Sequence, residues 1–389
     1  MKSTFDFVKP YIKKTELENV NFLGTINSKS RIVVSLPNIY NCAYVTEPFI
    51  QIKLSEMPSS IDFSKILSKI VLEMGGYVVD RLYTEQIRIH GKKYNCEPSL
   101  IEDTNTIIIP LPFNCLLKSN GFILNNNRLF EVKIIIEFSD FEINNIECEE
   151  FYINYSELNN EFSMEDMTNY FYKQMIQTKV HQDRLLKINN ECPSDYISYY
   201  FIDNLLEQNK KKLLDISNMN NSDSNSNKNS NSNQNINQVN NNESKNFNLP
   251  IGLLGFKQAQ FTGLENINSA NKRYRFIYNH DVETMYICIV NSKNDIYESK
   301  WFDLCKIQVN GRDTLFYTYE QLMHINKSTN LPKGVLEIPN ISYVNFDANN
   351  IEIHFSDIRL DDNETFYFFS SVESSNWLTI GPMISTVFG

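Results

Sequence analysis

The chain has 389 residues, with 36 Lys plus Arg against 47 Asp plus Glu, and its net charge at pH 7 is −11. At this length two domains are expected rather than one core, and an acidic chain lacks the positive surface needed to bind a nucleic-acid backbone. We therefore predict no direct nucleic-acid partner. Hydrophobic residues make up 42% and charged residues 21%, so most of the chain carries enough apolar surface to fold.

Seven cysteines are scattered along the chain without any C-x-x-C pair. They are Cys42, Cys96, Cys115, Cys148, Cys192, Cys288 and Cys305. Their odd number and spacing argue against a zinc site and against a secreted disulfide framework, and favour a reducing compartment. The first residues contain no apolar signal region, and no apolar run approaches the ~20 residues that cross a bilayer. We expect a protein that is soluble and intracellular when it is synthesised.

Short apolar or alternating runs, separated by turn signals, extend along most of the chain. Before residue 218 they are Arg31–Leu36, Ala43–Leu54, Ile66–Met74, Gln86–His90, Thr106–Ile109, Leu129–Phe138 and Glu149–Tyr155. After residue 242 they are Pro250–Phe256, Tyr274–Tyr278, Thr284–Val290, Leu304–Val309, Thr314–Tyr319, Gly334–Ile338, Asn350–Phe355, Phe366–Ser370 and Trp377–Ile380. Many short strands at this spacing are typical of a β-sandwich or barrel. The sequence therefore predicts two β-rich halves.

The segment 218–242 breaks this pattern because it is rich in Asn and Ser and has almost no residue able to enter a core. We predict a disordered insert there. Helices are predicted just before it, at Ser163–Gln177 and Ser194–Leu214. The resulting domain limits are an N-terminal arm (1–20), a first β domain (21–186), a helical connection with the insert (187–246) and a second β domain (247–389).

Enzyme signatures are missing from the sequence. The five histidines, His90, His181, His280, His324 and His354, are never spaced as H-x-H, H-x-x-x-H or H-E-x-x-H. A metalloenzyme of the cupin type needs paired imidazoles to fix the geometry of its ion. The sequence also has no G-x-S-x-G, P-loop or G-x-G-x-x-G motif. We predict no catalytic residue, no cofactor and no metal site.

Six short motifs carry more information than composition. A strand ends at Gly75 and Gly76, where a Gly-Gly pair favours a tight hairpin because both residues can take a positive φ. A Pro-Leu-Pro-Phe segment follows, in which prolines suit the end or edge of a strand. An aromatic strand, a short helix and a glutamine come next, and an Asn-x-Pro opening, an Asn-Gly turn and a Pro-x-Gly turn mark the second half. The key residues of these motifs are Gly75, Gly76, Pro110, Phe113, Tyr155, Gln177, Pro250, Asn310, Gly311 and Gly334.

The order of these motifs over about Phe49 to Gly381 resembles the double jelly-roll major capsid proteins of nucleocytoplasmic large DNA viruses. The resemblance implies an all-β chain of two consecutive eight-stranded jelly rolls with short helices. It also implies a non-catalytic structural protein that forms homotrimeric, pseudo-hexagonal capsomers of an icosahedral shell. Its expected partners are further copies of itself, neighbouring capsomers, minor capsid proteins and an inner viral membrane. The expected location is the virion, and the host cytoplasm during assembly.

Other functions remain open at this point. A minor capsid component or an assembly scaffold would share the fold, and a lattice in finished particles separates a capsid protein from a scaffold that is later shed. A carbohydrate-binding β-sandwich would stack sugars on exposed aromatic rings, for which Trp301 and Trp377 are the two tryptophans. A cupin-type enzyme would contain a stoichiometric metal. A trimer of ~137 kDa from three 45.5 kDa chains is expected only from the capsomer hypothesis.

Overall fold

The structure is a computed structural model that describes residues 4–56, 62–125, 131–141, 146–163, 252–268, 272–278, 282–344, 346, 350–360, 364–380 and 384–388. The predicted insert 218–242 and the predicted helix Ser194–Leu214 lie outside these ranges, as does Ser163–Gln177 beyond its first residue. No helix among the described residues is long and apolar enough to span a bilayer.

The first half forms a β-sandwich, the first sandwich. Its strands are β1 (Ile12–Asn19), β2 (Phe22–Leu23), β3 (Arg31–Ser35), β4 (Cys42–Leu54), β5 (Leu67–Met74), β6 (Tyr77–Tyr83), β7 (Ser99–Ile101), β8 (Thr106–Pro110), β9 (Phe122–Asn125), β10 (Val132–Phe138) and β11 (Ile146–Leu158). One sheet has the order β1-β11-β4-β8-β7, with β9 also on β4, and the other has the order β2-β3-β10-β5-β6.

The second half forms the second sandwich. Its strands are β12 (Gly252–Ile267), β13 (Arg273–Phe276), β14 (Val282–Asn291), β15 (Leu304–Val309), β16 (Arg312–Thr318), β17 (Leu336–Ile338), β18 (Ile351–Ser356), β19 (Phe366–Ile380) and β20 (Ile384–Phe388). One sheet has the order β12-β19-β14-β17, with β20 on β19, and the other has the order β13-β18-β15-β16.

The two sandwiches repeat one topology. In each, the first, eighth, third and sixth principal strands form one sheet (β1-β11-β4-β8 and β12-β19-β14-β17). The second, seventh, fourth and fifth form the other sheet (β3-β10-β5-β6 and β13-β18-β15-β16). This double Greek-key order is that of a jelly roll. We call the first sheet of each sandwich its long-strand sheet, because it contains the longest strands. The predicted fold class, two consecutive eight-stranded all-β units, is confirmed.

The two cores differ in composition. Ile, Val and Leu dominate the first core, as at Ile50, Ile134 and Ile153, which are inaccessible to solvent. The second core is aromatic: the Trp301 ring lies 4.6 Å from Phe302 and 4.7 Å from Phe355, centroid to centroid. Alternating residues along each strand supply these cores, which is why the period-two runs of the sequence indicated strands.

Short helices connect the strands. They are α1 (Thr4–Val8), α2 (Thr84–Lys93) and α3 (Tyr319–Ile325), together with single 3₁₀ turns at Lys9–Tyr11, Phe63–Lys65, Glu102–Thr104, Asn114–Leu116, Asn326–Ser328 and Ile341–Tyr343. Helices α2 and α3 occupy the same place, directly after the fifth principal strand of their sandwich. At the start of each of these two helices, a glutamine side-chain oxygen accepts the backbone N–H of the residue three places earlier. Gln86 accepts from Tyr83 at 3.1 Å in α2, and Gln321 accepts from Thr318 at 2.8 Å in α3.

One predicted strand was wrong. Gln86–His90 alternates apolar and polar residues and was interpreted as extended, but it forms the middle of α2. The Gln86 cap starts a helix there, and the helix is buried on nearly all sides, which removes the amphipathic pattern that would have indicated it. The other predicted runs each overlap a strand.

The predicted N-terminal arm, 1–20, contains β1, which pairs antiparallel with β11 from Ile12 opposite Leu158 to Asn19 opposite Tyr152. This strand is mostly exposed and polar, so its sequence gave no apolar alternation. The predicted domain limits stay a prediction.

Candidate functional site: the interface between the sandwiches

The predicted turn residues occupy equivalent hairpins. Gly75 and Gly76 join β5 to β6 with φ of 58° and 85°, and Asn310 and Gly311 join β15 to β16 with φ of 51° and 78°. Positive φ at both positions is what a two-residue hairpin turn requires. The two motifs are therefore the same turn in the two sandwiches.

The remaining motif residues are spread over the two sandwiches. Pro110 ends β8, Phe113 is fully buried in the first core, and the buried Tyr155 hydroxyl donates to the Pro37 carbonyl at 3.1 Å. Gly334, with φ of 82°, lies so close to the chain that an added Cβ would be 2.4 Å from the Tyr297 carbonyl oxygen. Gln177 and Pro250 lie outside the described residues. These residues do not converge on one site, and their assigned motif roles stay predictions.

Helix α2 of the first sandwich packs on the outer face of the second long-strand sheet. Ile89 belongs to a separate apolar cluster with Tyr286, Cys288, Val290 and Phe369, all of which are buried. Gln86 donates from Nε2 to the Ser371 hydroxyl at 2.9 Å. Residues of α2 that would face solvent on an isolated helix are thereby buried, and this contact joins the two halves.

A buried carboxylate lies at the centre of this interface. Glu373 on β19 is fully buried and accepts hydrogen bonds from Lys93 Nζ at 2.6 Å and from the Tyr94 hydroxyl at 3.0 Å. His90 Nε2 lies 3.4 Å from the same carboxylate. Burial raises the pKa of Glu373, but the facing His90 and Lys93 outweigh it and hold this pKa well below the ordinary value. Glu373 is thus a charged group bound mainly from the other sandwich, and Thr284 of its own sandwich adds a hydrogen bond from Oγ1 at 3.3 Å.

Side chains of the first sandwich also satisfy the free edge of β12. Asn114 Oδ1 accepts the backbone N–H of Lys257, and Asp80 Oδ1 accepts that of Ala259, both at 3.3 Å. Gln258 donates from Nε2 to the Val79 carbonyl at 3.1 Å. An exposed strand edge is a template for pairing with other chains, so this arrangement protects β12 from it.

Asp80 is unusual among these groups. Its side chain is fully buried, Oδ1 also accepts the Arg81 N–H at 2.9 Å, and Oδ2 has no hydrogen-bond partner among the described residues. Burial raises the pKa of Asp80 to about 7, against the opposing effect of the two N–H groups. The interface therefore contains one carboxyl held charged and one whose charge is disfavoured.

Polar contacts extend the interface at both ends of α2. Arg88 donates to the Asn294 carbonyl at 2.9 Å, and Lys65 pairs with Asp295. Asn330 donates from Nδ2 to Asn95 Oδ1 at 2.9 Å. The interface is consequently continuous from the β5 side to the end of α2.

Sequence reasoning missed this interface. Nothing in the sequence near Glu373 or Asp80 distinguishes them from solvated acids on a strand. One signal was available: the pair Glu85-Gln86 recurs as Glu320-Gln321 at the same interval from the hairpin turn, residues 75 to 86 and 310 to 321. That repeat indicates an equivalent helix in each half.

The arrangement is a packing interface. Among the described residues, no group of three or more His, Cys, Asp or Glu side chains is placed to hold a metal ion. Burial raises the pKa of the Cys115 and Cys288 thiols, which keeps both protonated and unreactive.

Comparison with known proteins bears on the fold. No family model matches the sequence, and no curated protein matches it either. Among solved structures, the PBCV-1 virus capsid is similar with a TM-score of 0.60 at 12% identity, over 97% of this chain and 98% of that one. PBCV-1 VP54, fitted into a reconstruction of the virophage Sputnik, has a TM-score of 0.57 at 11% identity, over 97% and 98%. The Faustovirus major capsid protein has a TM-score of 0.51 at 8% identity, over 95% and 90%.

This chain has the double jelly-roll fold. The similarity extends over both sandwiches and agrees with the strand order described above. Helix α2 on the second long-strand sheet is the contact that joins the two jelly rolls of the fold. At these identities the similarity concerns the fold.

Proposed function

We propose that the protein is a structural component of a viral capsid, which acts by self-association and not by catalysis. The observation that carries this proposal is the double jelly-roll fold over nearly the full chain, shared with proteins described as virus capsid and major capsid protein. The junction between the two jelly rolls supports it, because Glu373 and the edge of β12 are bound there by groups of the first jelly roll, as in a packing interface.

In the proposed assembly three chains form one capsomer. A chain with two similar jelly rolls can repeat its internal jelly-roll contact between chains, and a head-to-tail contact of this kind gives a closed ring when the rotation closes. Three chains supply six jelly rolls, which is a pseudo-hexagonal block. Neighbouring capsomers, minor capsid proteins and an inner viral membrane are the further partners, and the virion and the host cytoplasm during assembly are the locations.

The alternative functions find less support. Trp301 is fully buried in the second core, so its ring is not available to stack on a sugar. The side chain of Trp377 is not among those the structure describes. A minor capsid component or an assembly scaffold has the same fold, and a lattice of the protein in finished particles distinguishes a capsid protein from a scaffold that is later shed.

The mass of the purified full chain in solution tests the proposal. Sedimentation should give a stable trimer of ~137 kDa from the 45.5 kDa chain, and electron microscopy should show pseudo-hexagonal blocks. The net charge of −11 also predicts that lattices of these blocks depend on salt, because repulsion between like-charged blocks is screened at high ionic strength. A protein that stays monomeric at all concentrations would contradict the proposal.

A further inference from the structure

Helix α3 repeats α2 but lacks the cover that α2 has. In α2 the residues Glu85, Gln86, Ile89 and His90 are buried against the second sandwich. In α3 the inner residue Leu322 is buried in its own core, whereas Glu320, Gln321, Met323, His324 and Ile325 are exposed. Met323 and Ile325 are each more than two-fifths exposed, at 42% and 43%. The same helix at the same place in the fold thus presents an uncovered apolar surface, which we call the α3 face.

The sheet surface equivalent to the α2 docking site is on the first sandwich. The core residue Ile50 of β4 has Phe151 opposite it, as Ile287 of β14 has Ser370 opposite it. Superposing these two pairs by strand register assigns Phe49 and Tyr152 to the positions of Tyr286 and Ser371 beneath α2, and assigns Gln51 and Glu150 to those of Cys288 and Phe369. Tyr286 and Ser371 are buried there, while Phe49 and Tyr152 stay partly exposed as a stacked pair with centroids 5.3 Å apart.

Leu17 on the neighbouring strand β1 is 53% exposed and extends this apolar surface. We call Leu17, Phe49 and Tyr152 together with Glu47 the β4–β11 face. Large apolar side chains exposed together in this way are typical of an interaction surface.

An acidic group lies next to the place of Glu373 on this face. By the same superposition, Asn154 corresponds to Glu373, and its partner Thr46 corresponds to Thr284. A bulge in β4 sets two residues opposite Ile153 and turns Glu47 outward with a φ of 52°. Asn154 donates from Nδ2 to Glu47 Oε2 at 3.0 Å. A positive φ at a glutamate is uncommon, and bulges re-aim side chains, so the strand places a carboxylate here at some cost in backbone energy.

Lys327 follows the end of α3, just as Lys92 and Lys93 are the last residues of α2. Lys327 follows the capping Gln321 by the same number of residues as Lys92 follows the capping Gln86. Lys327 therefore corresponds to Lys92, one place before the position of Lys93. Lys327 is exposed and forms no ion pair with any other described residue. Glu47 likewise forms only the hydrogen bond with Asn154 in the part of the chain that the structure describes. The α3 face is thus followed by an exposed lysine, and the β4–β11 face carries an exposed glutamate.

We propose that the α3 face of one copy docks on the β4–β11 face of a second copy, with Lys327 paired to Glu47 of that copy. His324, at the position of Ile89, then lies on the Phe49–Tyr152 pair, and Met323, at the position of Arg88, lies beside it. Each chain has one of each face, so the contact is head-to-tail and repeats around a ring. This inference rests on the proposed function, for which it names the partner surface.

Charge reversal tests the pairing in the full chain. The variants are Lys327→Glu, Glu47→Lys and the double variant with both substitutions, and the measurement is the concentration dependence of the trimer in sedimentation equilibrium. Each single variant places like charges in the contact and should weaken the trimer ~10-fold or more, while the double variant should regain most of that loss. Lys306→Glu is the matched control, because Lys306 lies on β15 in the opposite sheet and pairs with the exposed Asp313; it should leave the trimer unchanged.

The outcomes separate the two proposals. If the wild-type protein is a trimer and both single variants leave it intact, this inference is overturned and the proposed function stands. The same holds if the double variant fails to restore the trimer while Lys306→Glu leaves the trimer unchanged. A monomeric wild-type protein would overturn both. Circular dichroism of each variant shows whether it is folded, and a second pair, Met323→Asp and Phe49→Asp, should dissociate the trimer independently of the charges; a trimer that tolerates both also counts against the inference.

Discussion

The substitution Asp80→Asn should stabilise the protein at neutral and alkaline pH. The Asp80 side chain is fully buried at the junction of the jelly rolls, and Oδ1 accepts two backbone N–H groups, from Arg81 and Ala259. An asparagine keeps an acceptor oxygen for both hydrogen bonds. It removes the charge whose burial raises the pKa of this carboxyl from 3.8 to about 7.

The raised pKa of Asp80 determines the size and the sign of the pH-dependent change in stability. Because the folded pKa exceeds the unfolded one, the favourable contribution of neutral Asp80 is complete below about pH 4 and is lost as the pH rises to 7. The difference of about 3 units corresponds to ~4 kcal/mol of lost stability above pH 7, as an upper bound. About 1.5 kcal/mol of this loss is already present at about pH 5, so the advantage of the asparagine should grow by ~2.5 kcal/mol between about pH 5 and about pH 8.

Urea unfolding of wild type and variant at these two pH values, at equal protein concentration, measures this difference. Groups that titrate in both proteins cancel in the comparison. Asp140→Asn is the control: Asp140 is exposed and pairs with Lys29, so its removal should change stability by a similar small amount at both pH values. An advantage of Asp80→Asn that is the same at both pH values would refute the reasoning, because a fixed difference would come from packing and not from a buried charge.

Two further predictions concern packing and the buried ion pair. Gly334→Ala should lower the free energy of unfolding by ~2 to 4 kcal/mol, since the new Cβ would meet the Tyr297 carbonyl oxygen, whereas Gly311→Ala, with a similar positive φ but open space around it, should lower it by ~1 kcal/mol. Thermal unfolding of the two variants tests this, and equal losses would contradict it. Lys93→Met should cost ~3 kcal/mol because it leaves the buried Glu373 carboxylate without this cation, whereas Glu373→Gln should cost less because the Lys93 side chain is 26% exposed; the double variant should cost less than their sum. Additive losses in urea unfolding would show that the pair is not coupled.

At the junction between the jelly rolls, residues of the first cover surfaces of the second. Helix α2, Asn114 and Asp80 come from the first jelly roll, while the sheet face and strand edge that they cover belong to the second. The first jelly roll therefore protects an edge and an apolar face that the second cannot cover by itself. In the second jelly roll, the equivalent helix α3 is exposed.

Local patterns predicted most strands and both equivalent hairpins. Period-two alternation appears wherever one face of a strand is buried, as in β5 and β10, and the Gly75-Gly76 and Asn310-Gly311 turns follow from the backbone freedom of their own residues. Strand β1 was not predicted because it lies at a sheet edge with mainly exposed side chains. Helix α2 was interpreted as a strand because burial on all sides hides its periodicity.

The sequence alone determined that two all-β units of the same kind follow one another, since strand periodicity and turn residues depend on neighbours a few positions away. Only the tertiary structure decided that Glu373 is buried and charged, that Asp80 is buried and disfavours its charge, and that α2 is covered while α3 is exposed. Those properties depend on groups that are hundreds of residues apart in the chain, such as Lys93 and Glu373, and the energy of a charge is set by the solvent and partners that folding places around it.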